Sequence, residues 1–205
     1  GGAIIMRDGA PAPMGADGSL PIVGFFVPKS CAKLKGNWDT MGLRGTGSYD
    51  YEIPEMFVEQ GATWNITMGY APHKSGQEIY ALGPQAYGSI GSCSWAIGVA
   101  SRALHEIAEI AKAGRTRMGS LPLREQPEFQ RNFGFHKTAI EASRMQLKTI
   151  YNDAVALFKS GASPEACGDA VCQTKAHANY IVKHVAKSAV VFAWEASGST
   201  GMRDR

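Results

Sequence analysis

The sequence predicts an α+β protein in which a partial antiparallel β-barrel or sheet precedes a long-helix antiparallel bundle. Residues 1 to about 70 contain short apolar or alternating runs separated by glycine- and proline-rich turns, which is typical of β-structure. From about residue 84 the apolar residues recur every three or four positions, which is the period of an amphipathic helix. These patterns predict a β-domain over residues 1–70 and a helical domain over residues 80–205.

Three runs account for the predicted β-domain. Residues 3–6, AIIM, form an apolar run that the turn signal RDG follows. Residues 22–28, IVGFFVP, read as a buried strand that a proline closes. Residues 48–53, SYDYEI, alternate apolar and acidic side chains and predict a half-buried strand that Pro54 ends.

Start and stop signals divide the remainder into three helices of close to thirty residues. The first follows Pro84 and ends at Gly114, and the second begins near Pro127 and ends before Gly161. The third has Ser163 as its N-cap and ends near Gly198. Three such helices predict three of the four members of an antiparallel bundle.

Each predicted helix has an apolar stripe that we expect to face the core. The stripe of the first helix is Tyr87, Ile90, Gly91, Ser94, Ile97, Gly98, Ser101, Leu104, Ala108 and Ala111. The stripe of the second is Phe129, Phe133, His136, Ile140, Ser143, Leu147, Ile150, Ala154 and Leu157. The stripe of the third is Ala170, Thr174, Ala178, Ile181, Val185, Ala189, Phe192 and Ala196. These spacings predict bundle packing.

Composition argues against several function classes. The net charge is +3 and the basic residues are scattered, so we expect no nucleic-acid partner. The uncharged residues 79–101 include a proline and many glycines and serines, so we expect a packed helix there and no membrane span. The four cysteines form no C-x-x-C pair, which indicates reduced thiols and a cytoplasmic protein. His177 and His184 lie seven residues apart with no further ligand pattern, so we expect no metal.

Two segments could carry chemistry. The glycine-rich residues 36–53 lack the lysine and the following helix of a P-loop, so their spacing alone favours a tight corner between strands. Arg115 and Arg117 follow the first predicted helix. They could be an ordinary basic helix end, or they could contact a phosphate, and composition does not separate these alternatives.

The glycine-rich segment also carries a resemblance. Trp38, Gly42, Arg44, Thr46 and Ser48 resemble the W-x-x-x-G-x-R-x-T-x-S stretch in the middle β-domain of the acyl-CoA dehydrogenase superfamily. With the long helices that follow, the chain resembles the C-terminal half of that superfamily. The resemblance covers nearly the whole chain.

Within the superfamily, the chain looks more like the type 2 branch. Methionine replaces phenylalanine in the motif at residues 115–119, and the segment from there to Gln130 is longer than in the acyl-CoA dehydrogenases. The resemblance implies a monooxygenase that uses reduced FAD or FMN and O₂ on an aromatic or heterocyclic substrate. The alternatives are an acyl-CoA dehydrogenase acting at the α–β bond and a non-catalytic oligomerisation module.

The resemblance also implies site residues. Arg115, or alternatively Arg117, corresponds to the arginine that reaches the flavin pyrophosphate of a neighbouring subunit, and Gln130 to a nearby glutamine. Gly198 corresponds to one glycine of a pair at the adenosine end of the flavin, although Ser197 replaces the other. The substrate-pocket candidates are Trp38, Arg44 and Ser48, and the resemblance assigns no catalytic residue.

The same resemblance implies how the protein assembles and works. We expect a homotetramer that receives reduced flavin from a partner reductase and acts on a small molecule. The chain begins and closes as if cut from a larger protein. We therefore expect the isolated chain to bind flavin poorly and to be inactive.

Overall fold

The computed structural model describes residues 1–15, 21–65, 82–114, 116 and 118–199. Contacts between backbone positions divide the chain into two compact units, Gly1–Met68 and Gly69–Arg205. The first unit contains short strands and single 3₁₀ turns, and the second contains the long helices.

The described part of the first unit contains seven short strands: β1 (Gly2–Ile4), β2 (Met6–Arg7), β3 (Ala10–Pro11), β4 (Ile22–Phe25), β5 (Lys33–Leu34), β6 (Tyr51–Glu52) and β7 (Thr63–Asn65). They make a three-stranded sheet in the order β1-β4-β7 and two pairs, β2-β3 and β5-β6. All of these pairings are antiparallel. The predicted antiparallel sheet is therefore confirmed. The described strands do not close into a barrel, because they are too short to form a continuous ring of ladders.

The predicted turn at RDG is confirmed by its backbone angles. Asp8 and Gly9 join β2 to β3, and their φ angles are 51° and 78°. A two-residue hairpin of the twist that strands favour requires positive φ at both central positions. The strand predicted over residues 48–53 is much shorter, since only Tyr51 and Glu52 pair, with Leu34 and Lys33. Pro54 lies two residues after Glu52, and the glycine corner comes before Tyr51, so little extended chain remains between them.

Gly24 lies on the middle strand of the three-stranded sheet, where an aromatic ring occupies the space above its Cα atom. Gly24 pairs with Trp64 across β4 and β7. A Cβ atom added at Gly24 would overlap the indole ring of Trp64. That ring also packs on Phe26, with the ring centroids 4.7 Å apart. The glycine therefore lets the indole cover the backbone of the middle strand.

Replacing Gly24 with alanine is expected to destabilise the first unit by about 1–3 kcal/mol, because the indole ring would have to move off the sheet. Denaturant unfolding followed by tryptophan fluorescence measures the change. Gly45→Ala is the matched control, since a Cβ at Gly45 would meet no atom within 4 Å. An equal effect of the two substitutions would contradict the packing role of Gly24.

The three predicted long helices are confirmed in the second unit. Helix α1 spans Gly83–Lys112 and α2 spans Pro127–Lys159. The third is continuous from α3 (Pro164–Tyr180) through a π-helical segment (Ile181–Ala186) into α4 (Lys187–Ser197). Its N-cap is Ser163, as predicted, whose hydroxyl accepts a hydrogen bond from the Ala166 backbone N–H at 3.3 Å. The π-helical segment was not predicted.

Three buried clusters show how the helices run. At one end, Leu82 and Ala86 of the α1 start pack with Ala154 near the end of α2. At the other end, Ile107 and Ala111 pack with Phe129 at the start of α2 and with Ala193 near the end of α4. The α1 and α2 helices are therefore antiparallel, and so are α2 and the third long helix, as predicted. The central cluster is Cys93, Ala96, Ile97, Ala100, Leu104, Ile140, Leu147, Ala178, Ile181, Ala186 and Ala189.

The predicted stripes hold for two helices and only in part for α1. Every predicted stripe residue of α2 and of the third helix is buried or half-buried. On α1, however, four predicted stripe residues are exposed: Tyr87, Gly91, Ser94 and Gly98. The buried face is Ala86, Cys93, Ala96, Ile97, Ala100, Leu104, Ile107 and Ala111. Small residues occur all around α1, so hydrophobic periodicity does not distinguish one of its faces from the next.

Candidate functional site

A pocket of about 290 Å³ lies where α2 begins and α4 ends. The 3₁₀ turn Leu123–Glu125 leads into α2 and closes one side. The lining residues are Ser120, Leu123, Gln126, Glu128, Phe129, Asn132, Phe192, Glu195 and Ala196. The antiparallel packing of α2 and α4 explains the location, since it brings the first turns of one helix to the last turns of the other.

Aromatic rings form the apolar wall of this pocket. The Phe192 ring stacks on Phe129, with centroids 5.7 Å apart, and on His136, with centroids 4.9 Å apart. Phe129 in turn lies 5.9 Å from Phe133. Aromatic pairs at these separations add to the stabilisation that burial gives. Phe192 therefore belongs both to the core and to the pocket.

Burial beside these rings changes the protonation of His136. Desolvation lowers the pKa of His136 from its ordinary value of 6.5, because the charged imidazolium loses water there. The imidazole is therefore neutral at pH 7 and behaves as a member of the aromatic cluster. The spacing of the sequence had also placed His136 on the predicted core stripe of α2.

The stability of the helical unit is expected to fall as pH falls below about 6.5. A histidine with a lowered folded pKa binds its proton more tightly in the unfolded chain, so acid favours unfolding until the folded pKa is passed. Chemical unfolding at pH 8 through pH 5 measures this slope. The variant His136→Phe keeps a ring without the titration and should show a smaller slope. An unchanged slope in the variant would contradict the assignment to His136.

Polar groups also line the pocket, and two of them are carboxylates. Glu128 is in the first turn of α2, where a negative charge complements the helix dipole. Glu195 projects from the last turns of α4, and Asn132 and Gln126 add amide groups. Carboxylates accept hydrogen bonds from hydroxyl and amino groups and repel phosphate. The described part of this pocket therefore suits a neutral ligand that carries such donors next to an aromatic ring.

Gln126 and Gln130, both near this pocket, differ in whether their side chains line it. The Gln130 amide donates a hydrogen bond to the Arg124 carbonyl at 2.7 Å, which ties the 3₁₀ turn to α2. Gln130 is not among the described lining residues, whereas Gln126 is. Gln126 also donates to the Leu121 carbonyl, at 2.8 Å. Sequence reasoning missed Gln126, although its position immediately before Pro127 placed it at the start of a helix.

Gly198 ends α4 with a φ angle of 53°, and its backbone N–H donates to the Glu195 carbonyl. The hydroxyl of the neighbouring Ser197 is turned back to the Trp194 carbonyl at 2.6 Å. Gly198 is thus two residues beyond the last lining residue of the pocket. Arg115 and Arg117 lie outside the described residues.

In the first unit, hydrogen bonds within the glycine-rich loop hold Trp38 and Arg44. The Trp38 indole donates to the Leu43 carbonyl at 2.9 Å, and Arg44 Nε donates to the Thr40 carbonyl at 2.9 Å. The Ser48 hydroxyl lies 3.4 Å from that of Thr46. The loop therefore uses part of the hydrogen-bonding capacity of all three candidate residues, through backbone carbonyls for Trp38 and Arg44 and through the Thr46 hydroxyl for Ser48.

The same loop forms the glycine corner that its spacing predicts. Two hydrogen bonds between Asn37 and Asp50 close it. The Asn37 amide donates to the Asp50 carboxylate at 2.7 Å, and the Asp50 backbone N–H donates to the Asn37 side-chain oxygen at 3.0 Å. Gly42 and Gly47 have φ angles of 101° and 57°. Leu43 is also left-handed, at 54°. A side chain in that region is strained, so the hydrogen bonds to the Leu43 carbonyl help to hold the loop in this shape.

A second groove, of about 310 Å³, runs between α1 and α2. Its apolar floor includes Ile90, Ile97 and Leu147, and Arg144 and Lys148 line its rim. Arg144 donates a hydrogen bond to the Ser101 hydroxyl at 3.2 Å. Two exposed small residues of α1, Ser94 and Gly98, also line this groove.

Two further features are absent from the described part of the chain. No described helix is both long and apolar enough to cross a membrane. Three or more histidine, cysteine, aspartate or glutamate side chains do not come together as a metal site among those residues.

Comparison with known sequences extends this description. The family model of the acyl-CoA dehydrogenase C-terminal domain matches residues 90–205. An indole-3-acetate monooxygenase from Acinetobacter baumannii is 27% identical over 139 residues, which cover 63% of this chain and 34% of that protein. One from Pseudomonas putida is 25% identical over 118 residues, covering 58% and 30%. The chain spans about a third of the length of these relatives.

Solved structures share the fold across the whole chain. The 3-HSA hydroxylase from Rhodococcus sp. RHA1 superposes with a TM-score of 0.74 at 20% identity, covering 99% of this chain and 51% of that one. XiaF from Streptomyces sp., solved in complex with FADH2 and glycerol, gives a TM-score of 0.75 at 16% identity, covering 99% and 50%. The HsaA monooxygenase from M. tuberculosis gives 0.70 at 19% identity, covering 100% and 51%. At these identities the likeness shows a common fold.

Proposed function

We propose that the whole protein is a flavin-dependent monooxygenase, since this chain belongs to the acyl-CoA dehydrogenase family by its C-terminal domain. One observation supports the monooxygenase branch above others: the two relatives matched over more than half of this chain are both indole-3-acetate monooxygenases. The proposed reaction inserts one oxygen atom of O₂ into an aromatic or heterocyclic small molecule. The other oxygen atom leaves as water.

The cofactor of this proposal is FAD or FMN in its reduced form. When bound, it supplies the two electrons that activation of O₂ requires, and a partner flavin reductase would restore the reduced form. The pocket between α2 and α4 fits part of such a molecule. In the FAD case, its aromatic rings, its amides and its two carboxylates suit the hydroxyl- and amine-bearing adenosine end, which FMN lacks. The same carboxylates disfavour the pyrophosphate, which would need cations from other residues.

Arg115 and Arg117 are the proposed cations, because a guanidinium makes paired hydrogen bonds to phosphate oxygens. Gln130 and Gly198 are proposed to support the site through the backbone at the start of α2 and the end of α4. Gln126 joins them as a direct contact, since its side chain lines the pocket. Trp38, Arg44 and Ser48 are proposed for the substrate pocket. Their hydrogen-bonded loop would hold polar groups in fixed positions.

Residues 1–70 are proposed to be part of the middle β-domain of the whole protein, and residues 80–205 to be part of its helical domain. The helical domain is further proposed to assemble a homotetramer. Exposed aromatic side chains on the helices support this proposal, with 55% of Tyr87, 71% of Trp95 and 58% of Trp194 accessible. Light scattering of the purified protein tests the assembly, and a monomer at micromolar concentration would contradict it.

The test of function uses the whole protein with reduced flavin, ¹⁸O₂ and indole-3-acetate as the first substrate. A monooxygenase should consume O₂ and yield a product that has gained one ¹⁸O atom. The competing function, an acyl-CoA dehydrogenase, would instead oxidise an acyl-CoA with an artificial electron acceptor and incorporate no oxygen. That second result would overturn the proposal. A protein that binds no flavin and performs neither reaction would favour a non-catalytic oligomerisation module.

A further inference from the structure

The third long helix contains one irregular step in its buried face. Its buried residues are Cys167, Thr174, Ala178, Ile181, Ala186, Ala189, Ala193 and Ser197. From Thr174 onwards they follow one another at intervals of three or four residues, as an α-helix requires. Among these most buried residues, the exception is the step of five from Ile181 to Ala186, and the half-buried Val182 and Val185 lie between them.

The π-helical segment Ile181–Ala186 coincides with that step. At its end, the Lys187 backbone N–H donates to the Val182 carbonyl, five residues back, where an α-helix would use the fourth. The backbone stays right-handed on both sides, at Tyr180 and at Lys187. The helix therefore continues in the same direction while the segment holds more residues per turn.

The buried residues before the segment form the buried face of α3, and those after it form the buried face of α4. We infer that the segment Ile181–Ala186 contains one residue more than an α-helix needs to join these two buried faces, and that its π-turn absorbs that residue. Each residue turns an α-helix by about 100°. If the same chain were α-helical throughout, α4 would be rotated by that angle relative to α3. One of the two faces would then lose its contacts with α1 and α2.

This arrangement also positions the pocket wall. Phe192 and Glu195 both lie on α4, beyond the π-helical segment, and both line the pocket at the start of α2. Phe192 holds its ring against His136 and Phe129. A rotation of α4 by one residue would turn that ring away from its partners. The π-turn is thus a conformational device that keeps α4 in phase with α2, and it does not depend on the proposed reaction.

Deletion of Lys183 tests the inference, because Lys183 is exposed within the segment. The deletion shortens the step from Ile181 to Ala186 to four residues, so both buried faces should stay in place with a regular α-helix between them. We expect the melting temperature to stay within about 3 °C of that of Lys183→Ala, or to rise. Amide exchange within the segment should slow by about tenfold or more, since α-helical hydrogen bonds replace the poorer π-helical ones.

The matched control removes an exposed residue from a helix with no such segment. Deletion of Gln146 turns the second half of α2 by about 100° relative to the first. We expect that variant to lose more than about 10 °C in melting temperature, or to lose cooperative unfolding. The inference is overturned if deletion of Lys183 destabilises the protein as much as deletion of Gln146. It is also overturned if exchange within the segment is unchanged.

Discussion

Replacing Ile181 with alanine is expected to lower the free energy of unfolding of the helical unit by about 2–5 kcal/mol, the range for large-to-small changes in a packed core. Ile181 is fully buried at 0% exposure and belongs to the central cluster that joins α1, α2 and the third long helix. It lies at the start of the π-helical segment, between the two buried faces. A cavity there would remove contacts with both α1 and α2.

Denaturant unfolding followed by circular dichroism measures this loss, and Val191→Ala is the matched control. Val191 lies on α4 with 40% of its surface exposed, so its truncation should change stability by less than about 0.5 kcal/mol. If Ile181→Ala cost no more than Val191→Ala, the packing of the third long helix against the other two would be wrong.

Replacing the arginine that is proposed to contact the flavin pyrophosphate with alanine is expected to weaken FAD binding by the whole protein about 10- to 150-fold. A hydrogen bond to a charged group contributes about 1.5–3 kcal/mol, which corresponds to that range of affinity. Arg115→Ala and Arg117→Ala, measured separately by flavin fluorescence titration, decide between the two positions. Sequence similarity favours Arg115.

Arg131→Ala is the control for this experiment, because Arg131 is exposed on α2. Its replacement removes the same charge from the same unit. Its effect on FAD binding should be less than about threefold, since screening weakens the attraction of exposed charges at a distance. Equal effects of all three substitutions would indicate a general charge effect. Such a result would remove both arginines from the proposed site.

The helices show how far periodicity determines a fold. In α2, large apolar residues alternate with polar ones, so one face is clearly the core face and the sequence predicts it. In α1, glycine, alanine and serine occur on every face. Burial there depends on which side α3 and α4 occupy, and this is a property of the packed bundle.

The candidate site shows the same limit. Glycine spacing was enough to predict the corner at residues 36–53, because positive φ angles at Gly42 and Gly47 are a local requirement. The pocket between α2 and α4 was not predicted, since its wall residues Gln126 and Phe192 are far apart in the chain. Only the antiparallel packing of the helices brings them together.

By itself, the sequence determined the α+β class, the three long helices and the membership of the family, because these depend on local periodicity, on caps and on the motif at residues 38–48. The tertiary structure decided the buried face of α1, the pocket at the start of α2 and the π-turn at Ile181–Ala186. The physical reason is that an extra residue within a long helix leaves no signature in the local sequence. Its effect appears only when two buried faces must pack against the same neighbours.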